Sequence, residues 1–264
     1  MTSGRHSDPS AASAPPHGLE YFYVDPPAVS GNILHIEGEE FAHLTHVMRR
    51  REGDVIGVID GQGMAYVVAI TALENRSATC AIQSRHPFLH EHPTPVTLAA
   101  AILKNPSRFD TMIEKVTEIG IRSFIPLFTE RTIPRHARTE RWQKLALAAA
   151  KQSGRSIIPH IFPPVSFGTF FNQASYHGVR RWILHEEATD ELPRDPAMPQ
   201  ATDGLHDAAA QRADAHTLLI GPEGGFTGEE VALATAHGYR AVSLGTRRLR
   251  SETAAIVAAV RVLL

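Results

Sequence analysis

The apolar and polar positions divide the chain into two parts with different patterns. Between residues 21 and 83, short apolar runs alternate with turn residues, and Gly61-Gln62-Gly63 separates two of these runs where a hairpin is expected. From residue 96 onwards, apolar runs alternate with segments whose apolar residues recur every three or four positions, as in amphipathic helices. The pattern predicts a small β-barrel or sandwich followed by an α/β domain with a parallel sheet.

Two local predictions refine this division. Residues 39–50 carry apolar side chains on one helical face, and we expect a helix there. Residues 124–128 form a short apolar run that predicts a strand. Pro126 cannot donate a backbone hydrogen bond, so we expect it at a sheet edge or a strand end.

Composition sets the expected domain boundaries. Residues 1–18 are rich in Ser, Ala, Pro and His and predict a disordered tail. We expect the β domain over residues 19–92 and the α/β domain over residues 96–264, with a Pro-containing linker between them. Residues 188–215 are rich in Ala, Asp and Pro without periodicity, which predicts a mobile insert in the second domain.

Two segments near the carboxyl end share one plan. Residues 217–230 and residues 241–255 each contain a short apolar run, a loop that opens with glycine, and the start of a helix. Thr227 and Glu230 have the spacing of a capping box, and Ser251 is a candidate N-cap. Because the carboxyl ends of parallel strands meet at one edge of a sheet, where open α/β sheets bind ligands, the two loops predict a ligand site.

The first of these loops indicates which ligand to expect. Gly221-Pro222-Glu223-Gly224-Gly225 lacks both the Gly-Lys-Ser/Thr ending of a phosphate-binding loop and the spacing of a dinucleotide fingerprint. Glu223 would also repel a phosphate. A cofactor with a positive centre and an adenosine fits better, although a simple tight turn is the alternative for a single loop of this kind.

Composition and charge limit the class of protein. The 264 residues are 43% hydrophobic and 20% charged, which is typical of a soluble globular chain, and no apolar run approaches the ~20 residues of a membrane span. A single cysteine, Cys80, excludes an internal disulfide and favours a reducing, cytoplasmic compartment. The net charge is −2, yet residues 97–160 hold eleven Lys/Arg against five Asp/Glu, so a basic face is possible. His43 and His46 share a helical face, but no third ligand has suitable spacing, and we expect no metal.

The two glycine-led loops resemble those of the RsmE family, which are small-subunit ribosomal RNA methyltransferases of the SPOUT class that act on uridine N3. The resemblance is carried by Ile220-Gly221-Pro222-Glu223-Gly224-Gly225-Phe226 and by Leu244-Gly245-x-Arg247-x-Leu249-Arg250-x-Glu252-Thr253-Ala254. Further matches, such as Lys104-Asn105-x-x-Arg108 and Gln152-Ser153-Gly154-Arg155, extend it over roughly residues 19–264.

The resemblance implies a specific architecture and reaction. It implies a PUA-like RNA-binding β-barrel followed by a SPOUT sheet with a C-terminal trefoil knot, although general topological rules predict an unknotted sheet. It also implies a cytoplasmic homodimer that uses S-adenosylmethionine to methylate N3 of a specific uridine in 16S ribosomal RNA, within the small ribosomal subunit.

The resemblance also assigns residues to roles. Arg250 is the candidate catalytic residue, because a fixed cation can stabilise the negative charge that develops on the uracil ring. The general base is left open between Glu223, Glu252 and solvent. The expected cofactor-binding residues are Leu184, His185, Ile220, Gly221, Pro222, Glu223, Gly224, Gly225, Leu244, Gly245, Leu249, Glu252 and Thr253. The expected RNA-binding residues are Arg49, Lys104, Arg108, Arg131, Arg155 and Arg247.

Three alternatives compete with this interpretation. The chain could be a SPOUT methyltransferase that modifies a different RNA position. It could be a non-catalytic RNA-binding protein with a relic cofactor pocket. A dinucleotide-dependent oxidoreductase is disfavoured because the fingerprint is absent.

Overall fold

The structure is a computed structural model, which describes residue 15, residues 18–193 and residues 215–264. The chain forms two compact units. Unit 1 contains Met1–Glu91 and Gly154–Ile157, and unit 2 contains His92–Ser153 and Ile158–Leu264. Most of the predicted tail at 1–18, and residues 194–214 of the predicted insert, lie outside the described residues.

Unit 1 is built on a six-stranded sheet with strand order β1-β4-β5-β6-β3-β2. Strand β1 runs parallel to β4, and the other neighbours are antiparallel. The predicted hairpin at Gly61-Gln62-Gly63 is present between β4 and β5. The strands are β1 (Tyr21–Tyr23), β2 (Val29–Ser30), β3 (Ile33–Glu37), β4 (Val55–Ile59), β5 (Met64–Leu73) and β6 (Ser77–Pro87).

The helix expected at residues 39–50 is present but ends earlier. Helix α1 (Gly38–Ala42) continues as a π-helical turn through His43–Val47. Arg49 then adopts a φ of 53°, a left-handed conformation that cannot continue a helix. Cys80 is fully buried in the core, as predicted, and this burial raises the pKa of its thiol to about 11.

Arg155 corrects one prediction from the sequence. Its guanidinium lies inside unit 1, where Nη2 is 2.7 Å from Glu91 Oε2 and the two side chains are only 2% and 4% exposed. Glu91 Oε1 also accepts a hydrogen bond of 2.8 Å from the Ile157 N–H. The pair joins Gly154–Ile157 to the rest of unit 1, so Arg155 is not available to bind RNA as predicted.

Unit 2 contains a seven-stranded sheet in which every strand pair is parallel. The order is β10-β8-β7-β12-β11-β13, with β9 also beside β8. Both faces of the central strands are buried, which explains their continuous apolar sequences. The strands are β7 (Val96–Ala101), β8 (Ser123–Phe128), β9 (His160–Ile161), β10 (Val165–Ser166), β11 (Arg180–Leu184), β12 (His216–Ile220) and β13 (Arg240–Val242).

Helices cover this sheet. They are α2 (Pro106–Ile119), α3 (Thr139–Ser153), α4 (Phe167–Phe170), α5 (Gly228–Ala236) and α6 (Ser251–Leu263). The alanines at 255, 258 and 259 in α6 are fully buried in the core of unit 2, where α6 packs against β7 and β12. Among the described helices, none is long and apolar enough to cross a membrane.

Pro126 lies in a strand with neighbours on both sides, yet its position explains why it is tolerated. On one side it pairs in register with Ala100 of β7. On the other side β8 has two short partners, which pair with Ser123–Phe124 and with Leu127–Phe128. Pro126 falls between them, where no ladder bond is required of its missing N–H.

The residues just before position 194 are part of the ordered structure of unit 2. Glu191 forms a parallel bridge with Ser243, and the side chain of Leu192 is buried in the core. Arg261 of α6 donates a hydrogen bond of 3.0 Å to the Leu192 carbonyl. Residues 190–192 of the predicted mobile insert are therefore packed beside the second glycine-led loop.

Candidate functional site

The loops that follow the strands of the unit 2 sheet leave from its carboxyl edge, because all the strands run in one direction. The loops after β12 and β13 are the two glycine-led segments predicted from the sequence. The strands β12, β11 and β13 are adjacent, so the residues that follow them lie side by side. The structure thus brings Leu184, Gly221 and Leu244 to neighbouring positions on one edge.

The first loop, residues 221–227, is compact. The Gly225 N–H donates a 2.9 Å hydrogen bond to the Pro222 carbonyl, and Gly225 has a φ of 70° that favours glycine. A Cβ on Gly221 would lie 3.1 Å from backbone atoms of Gly225 and Phe226, so no larger residue fits without a shift. The predicted capping box is present, with reciprocal bonds between Thr227 and Glu230 at the start of α5.

Neighbouring loops brace this first loop. Arg131 Nη1 donates a 2.5 Å hydrogen bond to the Gly224 carbonyl, and the Lys104 N–H donates to Glu223 Oε1 at 3.1 Å. Glu230 Oε1 accepts from the Glu130 N–H at 2.9 Å. The loops after β7, β8 and β12 are therefore joined by hydrogen bonds that involve side chains.

The second loop, residues 243–250, is held mainly through its backbone. The Ser243 N–H donates to the Asp190 carbonyl at 2.7 Å, and the Ser243 carbonyl accepts from the Leu192 N–H at 2.9 Å. Gly245 has a φ of 108°, which a side chain would strain. The N-cap of α6 is Arg250 rather than the expected Ser251, and its side chain makes no capping bond.

Arg108 links the first loop to the second. Its Nε and Nη2 donate to Glu252 Oε1 and Oε2 at 2.7 and 2.6 Å, and its Nη1 lies 3.7 Å from Glu223 Oε1. These hydrogen bonds raise the pKa of Arg108. Burial alone would raise the pKa of Glu252, but the bonds from Arg108 and the backbone outweigh it and hold that pKa below its ordinary value.

The contact also explains why a cation is tolerated at this position. Arg108 lies in the first turn of α2, where the helix dipole disfavours positive charge. Two carboxylates compensate for that cost. Arg108 was predicted to bind RNA phosphate, but its guanidinium is engaged inside unit 2, and Glu252, predicted to bind the cofactor, is turned towards Arg108.

The remaining predicted cofactor residues lie on or beside the two loops. Leu184 and Leu244 are half-buried and pack against the core, and Leu249 is also half-buried. The His185 N–H donates to the Val242 carbonyl at 3.0 Å, which joins the ends of β11 and β13. Ile220 and Pro222 are buried, whereas Thr253 points outward from the first turn of α6.

Most of the predicted cationic residues are exposed. In unit 2, Lys104, Arg131, Arg247 and Arg250 are exposed, and Lys104 forms no ion pair with any residue that the structure describes. Arg248 lies 3.1 Å from Glu186, in a pair that is exposed on both sides. Arg49 is exposed in unit 1. The structure thus leaves the candidate catalytic Arg250 accessible at the start of α6.

An open cleft of about 620 Å³ lies beside the first loop. Its lining includes Asn105, Pro106 and Ile133, none of which was predicted as a site residue. The Asn105 side chain accepts from the Ser107 N–H at 2.9 Å, and the Asn-Pro pair is a recognisable helix start. No sequence signal identifies Ile133, because its 63% exposure follows from the path of the loop after β8. Lys104, Arg108 and Glu223 complete the lining.

The described residues contain no group of three or more His, Cys, Asp or Glu side chains arranged to hold a metal ion.

Comparison with known proteins connects this site to a family. The RNA methyltransferase domain family matches residues 90–263, and the RNA methyltransferase PUA domain family matches residues 36–83. Ribosomal RNA small subunit methyltransferase E from Synechocystis is 33% identical over 218 residues, which cover 82% of this chain and 68% of the relative. The protein of that name from Mycobacterium bovis is 31% identical, with coverage of 90% and 88%.

A solved structure of a protein with the same name is similar to this chain. The crystal structure of a ribosomal RNA small subunit methyltransferase E from Neisseria gonorrhoeae, bound to S-adenosyl methionine, has a TM-score of 0.77 to this chain at 29% sequence identity. The match covers 91% of this chain and 95% of that one. The similarity therefore includes residues from both units.

Proposed function

The chain belongs to the ribosomal RNA small subunit methyltransferase E family, and we propose that it transfers a methyl group from S-adenosylmethionine to N3 of a uridine in 16S ribosomal RNA. The observation that carries this proposal is the arrangement of three adjacent strand ends, at Leu184, Gly221 and Leu244, with two glycine-led loops. The relative from Neisseria gonorrhoeae, whose fold this chain shares, binds S-adenosyl methionine.

The residues at this edge fit such a cofactor. Leu184, Leu244 and Leu249 offer half-buried apolar surface for an adenine ring, and backbone groups of the two loops can hold the ribose. The carboxylate of Glu223 suits a ligand with a positive centre rather than a phosphate. When bound, S-adenosylmethionine supplies an activated methyl group, so the protein has to position the uracil ring, remove its N3 proton and stabilise the resulting charge.

Arg250 is the proposed stabiliser of that charge. Loss of the N3 proton places negative charge on the ring and its carbonyl oxygens, and a fixed cation close to that charge lowers the barrier. A guanidinium side chain carries no acceptor, so the base has to be a different group. The exposed position of Arg250 at the start of α6, directly after the second loop, supports its role as stabiliser.

Four exposed cations are proposed RNA ligands: Arg49, Lys104, Arg131 and Arg247. Each can contribute a salt-dependent contact with phosphate. We propose that the PUA-type unit supplies part of the RNA affinity, since the matching domain family is that of RNA methyltransferases. We propose a cytoplasmic site of action, since the proposed substrate is a ribosomal RNA.

The finer architecture of the family is also proposed for this chain. The family resemblance is the ground for a trefoil knot at the end of the chain, where α6 follows the edge strand β13 and packs against β7 and β12. A closed barrel in unit 1 and a homodimer complete the proposal. The apolar side chains of Val260 and Leu264, exposed on and after α6, are suited to a subunit contact.

The test uses purified protein with small ribosomal subunits, or naked 16S RNA, and isotopically labelled S-adenosylmethionine. We expect label in N3-methyluridine after digestion to nucleosides. Label in any other nucleoside would favour a SPOUT enzyme of different specificity. Calorimetry that detects no binding of S-adenosylmethionine would favour a non-catalytic RNA-binding protein.

A further inference from the structure

The cleft beside the first loop has the composition of a binding site for a planar polar ring. Ile133 and Pro106 offer apolar surface, and the side chain of Ile133 is 63% exposed. Lys104 and Glu223 place a cation and a carboxylate along the same lining. A pocket of this type combines apolar contact with a few polar groups that fix the orientation of a ligand.

We propose that this cleft receives the target uracil and that Glu223 is the general base that takes the proton from N3. The inference rests on the proposed function and assigns a role that the family resemblance leaves open. Uracil presents an N3–H donor between two carbonyl oxygens, so it requires one acceptor flanked by positive charge.

The geometry distinguishes Glu223 from Glu252, the other candidate. Glu252 uses both carboxylate oxygens in short bonds with Arg108, and its side chain is 13% exposed. Glu223 is 35% exposed, and its distance of 3.7 Å from Arg108 Nη1 is too long for a hydrogen bond. Its Oε1 and Oε2 share a single donor, the Lys104 N–H, at 3.1 and 3.4 Å. A carboxylate has about four lone-pair sites, so Glu223 keeps acceptor capacity towards the cleft.

The charged groups around Glu223 favour an anionic ring in the cleft. Arg108 lies beside it, the Lys104 N–H donates to it at 3.1 Å, and Lys104 is one of the residues that line the cleft. Arg131 binds the next residue through the Gly224 carbonyl. Glu252 is the other nearby carboxylate, and Arg108 offsets its charge. These cations can stabilise the charge that N3 deprotonation places on the uracil oxygens.

In the proposed reaction, proton transfer from N3 precedes methyl transfer. The N3–H bond breaks and its proton moves to a Glu223 carboxylate oxygen, leaving the electron pair on N3. N3 then forms a bond to the methyl carbon as the methyl–sulfur bond breaks, and that electron pair stays on sulfur. The neutral thioether product leaves, and Glu223 releases its proton to solvent.

The test is Glu223→Gln, because the amide oxygen can still accept from the Lys104 N–H but cannot take a proton at neutral pH. The measurement is the single-turnover rate at saturating S-adenosylmethionine, across a range of pH, with the RNA substrate that the unmodified protein methylates. We expect a loss of about 10²- to 10⁴-fold, the usual contribution of a general base. The variant rate should then rise about tenfold per pH unit as N3 ionises in solution.

Two variants serve as matched comparisons. Glu229→Gln removes an exposed carboxylate from the first turn of α5 and should leave the rate unchanged. Glu252→Gln should lower the rate with a pH profile parallel to that of the wild type, since it disturbs the loops without removing the base. RNA with 5-fluorouridine at the target, whose N3 is more acidic, should reduce the deficit of Glu223→Gln.

A loss of less than about tenfold for Glu223→Gln, or a pH profile parallel to the wild type, would exclude Glu223 as the base. Either result leaves the proposed function standing if the wild type still forms N3-methyluridine. Formation of a different methylated nucleoside by the wild type would instead overturn the proposed function itself.

Discussion

The two glycine-led loops at the edge of the unit 2 sheet follow the same plan but are held in different ways. Hydrogen bonds to two neighbouring loops fix the first: the Lys104 N–H donates to Glu223, and the Arg131 side chain donates to the Gly224 carbonyl. Glu230 of α5 adds a bond from the Glu130 N–H. Backbone bonds between Ser243 and the segment around Leu192 fix the second, which leaves Arg247 and Arg250 exposed. The first loop is thus suited to hold a cofactor in a fixed shape, and the second to present cations to a substrate.

Arg108 is the residue that makes the two loops dependent on each other. Its guanidinium contacts a carboxylate near each loop, Glu252 tightly and Glu223 more loosely. A change in the backbone shape of the first loop, as distinct from the Glu223 side chain, should therefore act mainly on cofactor binding. A change in the second loop should act mainly on turnover, and a change at Arg108 on both.

The largest effect is expected at Gly221. Gly221→Val should abolish measurable binding of S-adenosylmethionine, because even a Cβ would lie 3.1 Å from backbone atoms of Gly225 and Phe226. Isothermal titration calorimetry measures the affinity, and circular dichroism checks the fold. Gly228→Ala is the control, since a Cβ there meets nothing within 4 Å. Wild-type affinity in Gly221→Val would show that the shape of the first loop does not matter for the cofactor.

The next effect is expected at Arg250. Arg250→Ala should lower kcat by about 10²- to 10³-fold, as does the loss of one group that stabilises transition-state charge, with little change in cofactor affinity. Steady-state kinetics and calorimetry separate the two quantities. Arg248→Ala is the comparison, since its exposed pair with Glu186 should contribute little. An equal loss of turnover and cofactor affinity would remove the catalytic role.

The third effect is expected at Arg108. Arg108→Ala should lower the stability of the fold and disturb the positions of both loops. Loss of the partner of Glu252 should cost about 2 kcal/mol of unfolding free energy, as for hydrogen bonds to charged groups. The folded pKa of Glu252 is lowered, so this stabilisation is complete above the pKa of the unfolded carboxyl and is lost as pH falls through the folded value. Urea unfolding should therefore show a difference from wild type that shrinks below about pH 4.

Two outcomes would contradict the prediction for Arg108. A difference from wild type that stays constant down to acid pH would mean that the pair with Glu252 does not stabilise the fold. A loss of RNA affinity alone, with stability and cofactor affinity unchanged, would restore the role in RNA binding that the sequence suggested.

The smallest effect is expected at Thr227. Thr227→Ala removes the side-chain half of the capping box at the start of α5 and should cost about 1 kcal/mol of stability. Because Glu230 also braces the Glu130 N–H, the first loop should keep its shape and cofactor affinity should change little. Thermal unfolding and calorimetry measure the two effects. A large loss of cofactor affinity would mean that the cap, rather than the neighbouring loops, fixes the first loop.

Local sequence patterns predicted most of the secondary structure and turns of this chain. The glycine-led loops, the capping box of Thr227 and Glu230 and the hairpin at residues 61–63 all follow from residues close together in the sequence. The burial of Cys80 follows from its place in an apolar strand. Such features can be predicted because the preference of a turn, cap or strand depends on a few neighbouring residues.

The pairing and exposure of individual charged side chains could not be predicted in this way. Arg108 and Arg155 are both arginines in plausible RNA-binding motifs, yet the structure pairs Arg155 with Glu91 and Arg108 with Glu252. The partner of Arg108 is 144 positions away in the sequence, and that of Arg155 is 64 positions away. No local pattern can reveal a pair of this kind.

The sequence by itself determined where the strands, helices and glycine-led loops form, because those preferences are local. Only the tertiary structure decided which cations face solvent, which carboxylates are neutralised and that Ile133 lines a cleft beside Glu223. The reason is that electrostatic pairing and burial depend on distance in space, which the order of strands in the sheet sets and the order of residues in the chain does not.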